Sequence, residues 1–187
     1  MSRVISGIIH QFVPDMSTYT ALFPALPDNA RVWIYVSDRH LSASEQDRLL
    51  ESLRPFLAQW TSHSRRVIGE ALILDERFLV VAATLEEGDI SGCGIDKSTH
   101  AVEEAGQALG ITWMSGLTLL YRDQAGVVQA VSRPEFRDLV RRGVVDADTR
   151  VFDTSLTTLA ELRNGNLEKP AGASWHSRTF QIPEAAT

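Results

Sequence analysis

Cysteine and lysine are almost missing from this chain. Cys93 is the only cysteine in 187 residues, so no intrachain disulfide can form and the covalent staples of small secreted domains are excluded. A reducing, cytoplasmic setting is the expectation. Lys97 and Lys169 are the only lysines, and every other basic residue except histidine is arginine. Concentrated positive charge is also lacking. The formal charge is −6, and Arg65-Arg66 and Arg141-Arg142 are the only adjacent basic pairs. Nucleic acid recognition needs a strong positive field, so nucleic acid is not an expected partner. Apolar runs fall far short of the roughly 20 residues a membrane helix requires. Residues 1–10 hold one basic residue, Arg3, and no sustained apolar stretch. Neither a membrane partner nor a signal peptide is expected. The motifs H-E-x-x-H, C-x-x-C and G-x-S-x-G do not occur, and His10, His40 and His176 are scattered. Nothing calls for a metal or a cofactor.

What is present is an ordinary globular balance, 44% hydrophobic, in a length that suits one domain with an annex. Residues 1–30 carry Pro14, Pro24 and Pro27 and little periodicity, so they read as an arm. Ile8, Ile9, Phe12, Leu22 and Phe23 predict that this arm packs somewhere. Val32 to Val36 reads as a buried strand. Ser42 or Ser44 can cap a helix with Glu45 in its first turn. Leu49, Leu50, Leu53, Phe56, Leu57 and Trp60 would form its apolar face, and Pro55 predicts a kink or two abutting helices. Val67 to Leu74 and Phe78 to Leu85 read as strands around the turn Asp75-Glu76-Arg77. A polar, glycine-rich loop runs from Glu86 to Gly94, and a helix from about Asp96 to Leu109, stopped by Gly110. Leu117 to Tyr121 and Val127 to Val131 read as further strands.

The order through Tyr121 is β-α-β-β-α-β. It predicts an α+β fold with a ferredoxin-like core over 31–122, two helices on one face of an antiparallel sheet. An open sheet of another topology is the alternative. Residues 123–187 read as a C-terminal extension or small subdomain. Ser132 and Glu135 have capping-box spacing, and Gly143 ends the helix they start. A short helix is predicted from Ser155 to Arg163, capped by Asp153, Thr154 or Ser155, with Leu156, Leu159 and Leu162 inward. Trp175 and Phe180 predict that the tail docks.

The most unusual stretch is Ser91-Gly92-Cys93-Gly94-Ile95-Asp96-Lys97-Ser98-Thr99-His100. Glycines let backbone turn tightly and approach a ligand, and free amides at a helix start favour anions. A thiol there has a lowered pKa, which favours the reactive thiolate. Cys93 is therefore a candidate nucleophile or redox sensor, with Ser91, Gly92, Gly94 and Asp96 as candidate ligand residues for a small anion. The structural alternative is a tight turn with Asp96 as N-cap and Cys93 as a small buried hydrophobe. Asp96 and His100 lie four apart on the predicted helix; they could share a metal, but two ligands are weak grounds for a site, and an ordinary polar pair is the expectation. The nucleotide-binding loop pattern G-x-x-x-x-G-K-[ST] fails, because Ser91 and Asp96 stand where its glycines belong.

Arg31-Val32-Trp33-Ile34-Tyr35, Phe56 through His63, Arg77-Phe78-Leu79 and Ser91 through Asp96 together resemble an uncharacterised bacterial family often labelled ABC transporter ATPase. The resemblance covers residues 22 to 121. The label implies nucleotide hydrolysis, which the failed loop pattern does not support. The shared positions Trp60, His63, Arg77, Cys93 and Asp96 become candidate site residues. His63 would either cap the end of the preceding helix or, if it meets Cys93, activate the thiol. Leu120 through Phe152 is similar to a GYF-like peptide-binding module, without its Gly-Pro-aromatic signature. The sequence thus leads to a non-catalytic binding or protein-interaction protein, expected to form a homodimer. The alternative is a thiol-dependent enzyme or sensor acting on a small anionic ligand.

Overall fold

In the computed structural model, residues 19–183 are described. The predicted apolar anchors Ile8, Ile9 and Phe12 lie outside them. The first half of the chain forms β1 (Arg31–Val36), α1 (Ala43–Gln59), a small hairpin of β2 (Thr61–Ser62) and β3 (Arg65–Arg66), β4 (Ile68–Leu74), β5 (Phe78–Thr84) and α2 (Gly92–Ala108). β5 is apolar on both faces and therefore takes the centre of an antiparallel sheet ordered β1-β5-β4. Its side chains alternate between two cores. Phe78, Val80 and Ala82 pack toward the second half of the chain, while Leu79, Val81 and Ala83 pack under α1 and α2.

Ser42 caps α1 in a reciprocal capping box with Glu45. Glu45 also takes a hydrogen bond from Arg39, and chiefly for that reason its carboxyl is held down at about 2. Two abutting helices do not form at Pro55: α1 runs unbroken from Ala43 to Gln59. Pro55 lies on the exposed face, and the buried Leu49 and Leu53 before it continue into the half-buried Phe56 and Leu57 after it, so the packed face is not interrupted.

The second half forms β6 (Leu119–Arg122), β7 (Val128–Val131), α3 (Arg133–Arg141), β8 (Arg150–Phe152), α4 (Leu159–Arg163), β9 (Glu168–Pro170), a 3-10 turn at Ala171–Ala173 and α5 (Trp175–Phe180). Its strands make a second antiparallel sheet, β7-β6-β8-β9. The fold is α+β with antiparallel sheets. The strand expected from Leu117 to Tyr121 starts at Leu119 and belongs to this second sheet, not beside β1. Two other segments hold the outer edge of β1. Met114 donates to the Val36 carbonyl at one end, and Val32 donates to the Thr157 carbonyl at the other. With both ends occupied, no lane remains there for a fourth strand. The C-terminal third carries the expected strand at β7 and the expected capped helix at α3, and the short strands β8 and β9 add to them and complete the second sheet. Its second helix is capped by Thr158 with Glu161, not by residues 153–155.

Arginine forks fasten these pieces. Arg163 donates to the carbonyls of Leu22, Phe23 and Leu26 and to the Asp28 carboxylate, which pins the lead-in segment to α4. Phe23 is buried there with a left-handed φ of 51°. A lysine, with one compact charge, could not satisfy four acceptors in this planar arrangement.

Candidate functional site

The glycine-flanked thiol stands where the sheet hands over to a helix. β5 ends at Thr84, and α2 begins at Gly92 with Ser91 as its N-cap. Asp96 is not the cap. It lies exposed inside the helix, because Ser91 already accepts from the Gly94 amide at 3.3 Å. Cys93 is exposed in the first turn, which removes the buried-hydrophobe alternative.

The residues around the thiol are tied up in packing. The Trp60 indole is buried and donates from Nε1 to the Gly94 carbonyl at 2.9 Å. Ser62, also buried, accepts from the Ser91 amide at 3.0 Å and shares a hydroxyl hydrogen bond with Ser91 at 2.8 Å. A Cβ on Gly94 would come within 3.0 Å of the Ser62 Cβ, so glycine is what lets the β2–β3 hairpin lie against the start of α2. Lys97 reaches the Thr61 carbonyl at 3.5 Å. Ser91, Gly94 and Trp60 are thus brought together as a docking joint. Ser62 completes that joint; no motif marks it in the sequence. Gly92 has open space around it and Asp96 faces water.

His63 does not cap α1. It occupies the β2–β3 turn with a left-handed φ of 48°, exposed, followed by Ser64 at 65°. Arg77 is farther away still, ahead of β5 while Cys93 follows its other end. Its buried guanidinium donates to the carbonyls of Ser37 at 3.0 Å, Asp38 at 3.2 Å and Val128 at 2.6 Å, which joins the two sheets. Those partners use its donors, so Arg77 is a structural clamp rather than a ligand residue. Among the described residues no group of three or more His, Cys, Asp or Glu could hold a metal ion. Among them, too, no helix is long and apolar enough to cross a membrane.

A groove of about 560 Å³ lies elsewhere, on the second sheet. Met114, Leu117, Leu119, Val131, Phe152 and Trp175 supply its apolar lining. Leu117 is 82% exposed and Trp175 43%, the two largest apolar side chains that the fold presents at one place. The tail docks through Phe180, as expected, and through His176, both buried, while Trp175 stays in water. Trp175 stacks on His176 with ring centroids 3.8 Å apart, which holds the indole flat at the groove rim. The sequence gives no hint of this site beyond the isolated Leu117 next to Gly116.

Between the sheets sits a buried ionic cluster. Arg122 makes paired hydrogen bonds to Glu168 at 2.8 and 2.7 Å and a further one to Asp75 at 3.0 Å. Burial holds the Asp75 carboxyl above its ordinary range, against the pull of Arg122, and its Oδ2 has no hydrogen-bond partner among the described residues. The Tyr19 hydroxyl is raised by burial and then by Glu168 and Asp75, and it too has no partner there.

For Cys93 the expected result is complete alkylation by iodoacetamide in the native protein. Cys93→Ser should change unfolding free energy by less than about 0.5 kcal/mol, as for other exposed positions. A thiol that reacts only in denaturant, read by intact mass, would contradict the exposed placement. No protein-family model, curated protein or solved structure matches this chain.

Proposed function

We propose that this chain is a non-catalytic, cytoplasmic interaction protein that holds an extended peptide segment in the groove between Leu117 and Trp175. The observation that carries the reading is the groove itself: two large apolar side chains left in water over an apolar floor, rimmed by Ser132, Arg133, Glu135 and Asp153. Isolated exposed apolar residues need no explanation, but a concave cluster of them does. A rigid aromatic at the rim offers large contact area at low entropic cost. The likeness of Leu120 through Phe152 to a GYF-like module supports the same reading, with Trp175 supplying an aromatic that the missing signature would have brought. In this reading the first sheet and its helices are a scaffold, a ferredoxin-like arrangement of three strands.

Trp175 is a built-in reporter, since Trp60 is buried and Trp33 and Trp113 are half-buried. A displayed library of random extended peptides, selected on the full chain, should yield apolar sequences that shift Trp175 fluorescence. Leu117→Ser should weaken them by about tenfold or more while leaving the melting curve unchanged, and Trp175→Ala should weaken them by a similar factor. Peptides that bind both variants as tightly as the wild type would remove this site.

The exposed Cys93 at a helix start favours a second reading, a thiol-dependent enzyme or redox sensor using His63 and a small anion. Its test is the pH profile of the same alkylation. A rate already at its plateau by about pH 7 supports it, and one still climbing through about pH 8.5, the free-thiol value, removes it.

A further inference from the structure

The two larger sheets have four edges, and three of them are bridged, blunted or short. The outer edge of β1 is bridged by Thr158 at one end and Trp113 at the other. β9 is three residues long and contains Lys169 and Pro170, both of which blunt an edge. β7 has only four residues. β4 is different. It has seven residues, Ile68-Gly69-Glu70-Ala71-Leu72-Ile73-Leu74, with no lysine, arginine or proline, and it stays in unbroken register with β5 from Ile68↔Thr84 to Leu74↔Phe78.

The direction of each backbone group on β4 follows from its alternation. In a strand the N–H and C=O of one residue point to the same side, and those of its neighbour to the other. Leu74 accepts from the Arg77 amide in closing the hairpin, so Leu74, Leu72, Glu70 and Ile68 face β5. Val67, of the opposite parity, donates to the Trp60 carbonyl at 2.9 Å on the outer side. Gly69, Ala71 and Ile73 therefore present their N–H and C=O groups outward, where among the described residues no strand pairs with them. The same parity rule gives the correct result on β1, whose Val32 and Val36 face outward and bond to Thr157 and Met114.

We propose that this edge pairs with the same edge of a second copy of the chain, antiparallel, about a two-fold axis through Ala71. The residues around the edge select that register. β2 closes the lane beyond Val67, so the free length is Ile68 to Leu74, and an axis through Ala71 uses all of it. Gly69 then exchanges both backbone hydrogen bonds with Ile73 of the second copy, and Ala71 with its own equivalent. Ile68, 43% exposed in the single chain, comes to lie across from Leu74 of the second copy at both ends. Glu70 falls opposite Leu72 rather than opposite another carboxylate. The result is a continuous six-stranded sheet.

The test uses the full chain, with sedimentation from low micromolar to millimolar concentration and amide hydrogen exchange followed residue by residue. A monomer–dimer equilibrium is expected, with the amides of Gly69, Ala71 and Ile73 slowing as the dimer fills. Those of Glu70 and Leu72, already bonded to β5, should be protected throughout. Ile68→Lys should weaken association by about tenfold or more, because an inward charge blunts an edge. A chain that is monomeric at every concentration overturns the proposal, whatever else binds that strand. So does a dimer in which the three amides exchange as in the monomer, or one that Ile68→Lys leaves unchanged.

Discussion

Arg122→Met is expected to cost about 3 to 5 kcal/mol of folding free energy, a large share of a domain's usual margin. Methionine keeps the stem that lies over Phe152, whose ring centre is 5.2 Å from the Arg122 guanidinium carbon, so the loss isolates the charge. Glu168, with its side chain 1% exposed, would retain only Arg150 at 3.4 Å. Asp75 would lose its one carboxylate hydrogen bond. Two buried carboxylates without a buried cation are the costly outcome, more than the lost attraction itself. Two companion variants separate these causes. Arg122→Met with Glu168→Leu should recover most of the loss, because an apolar pair of similar volume often replaces a buried ion pair at little cost. Asp75→Asn should stay within about 1 kcal/mol of the wild type. Burial already raises the Asp75 carboxyl, so the charged form is the disfavoured one. Asparagine also suits the left-handed φ of 48° at that position better than most residues. Urea unfolding followed by both fluorescence and circular dichroism measures all three. An Arg122→Met protein within about 1 kcal/mol of the wild type would mean that water reaches the cluster.

This cluster also marks where sequence reading stops. Local signals were clear wherever short-range chemistry decides the outcome. Ser132 with Glu135 specifies a capping box within four residues and it forms, while of Ser42 and Ser44 it is Ser42 that caps the first helix, in a box with Glu45. Phe78 to Ala83 is apolar at every position, and only a central strand buries both faces. The handover from β5 to the thiol-bearing helix was readable in outline, but the helix starts at Gly92 rather than near Asp96, which places Cys93 in its first turn instead of the loop. What failed was long-range. Nothing in Leu119 to Arg122 tells which sheet those residues join. That choice depends on Thr157 and Met114 taking the edge of β1 first. Arg77 sits among candidate ligand residues in the sequence, yet its partners are backbone carbonyls up to 51 positions away, which no side-chain pattern encodes. The short strands β8 and β9 escaped for a related reason. Arg150-Val151-Phe152 and Glu168-Lys169-Pro170 are too brief to show alternation, and pairing with each other and with β6 gives them their form. The groove is a product of those same long-range choices, since Leu117 and Trp175 meet only after both sheets are assembled.

Acid should destabilise this protein through His176, and the sign follows from its burial. The imidazole is fully enclosed among Phe136, Phe180 and the Trp175 ring, and its Nδ1 shares a hydrogen bond with the Ser174 hydroxyl at 2.8 Å. Nε2 has no partner among the described residues. Burial, against the opposing influence of Asp153 and with a smaller lowering by Lys169, brings its pKa from 6.5 down to about 4. Between those values the unfolded chain takes up a proton that the folded protein refuses. The stability associated with neutral His176 is therefore complete above about pH 6.5 and is lost as pH falls toward 4, on the order of 3 kcal/mol in all. His176→Phe should flatten that decline while costing about 1 kcal/mol at neutral pH, the worth of the Ser174 hydrogen bond. Asp75 acts in the opposite sense, because a carboxyl raised by burial binds its proton more readily in the folded state and so gains stability as pH falls through its folded pKa. The wild-type acid slope is the difference of the two. Asp75→Asn should therefore remove that opposing gain while His176→Phe flattens the decline, and urea midpoints at a series of pH values would show both. If His176→Phe leaves the slope unchanged, the imidazole is hydrated or already charged in the folded protein, and the aromatic enclosure built by Phe136, Trp175 and Phe180 does not exclude water.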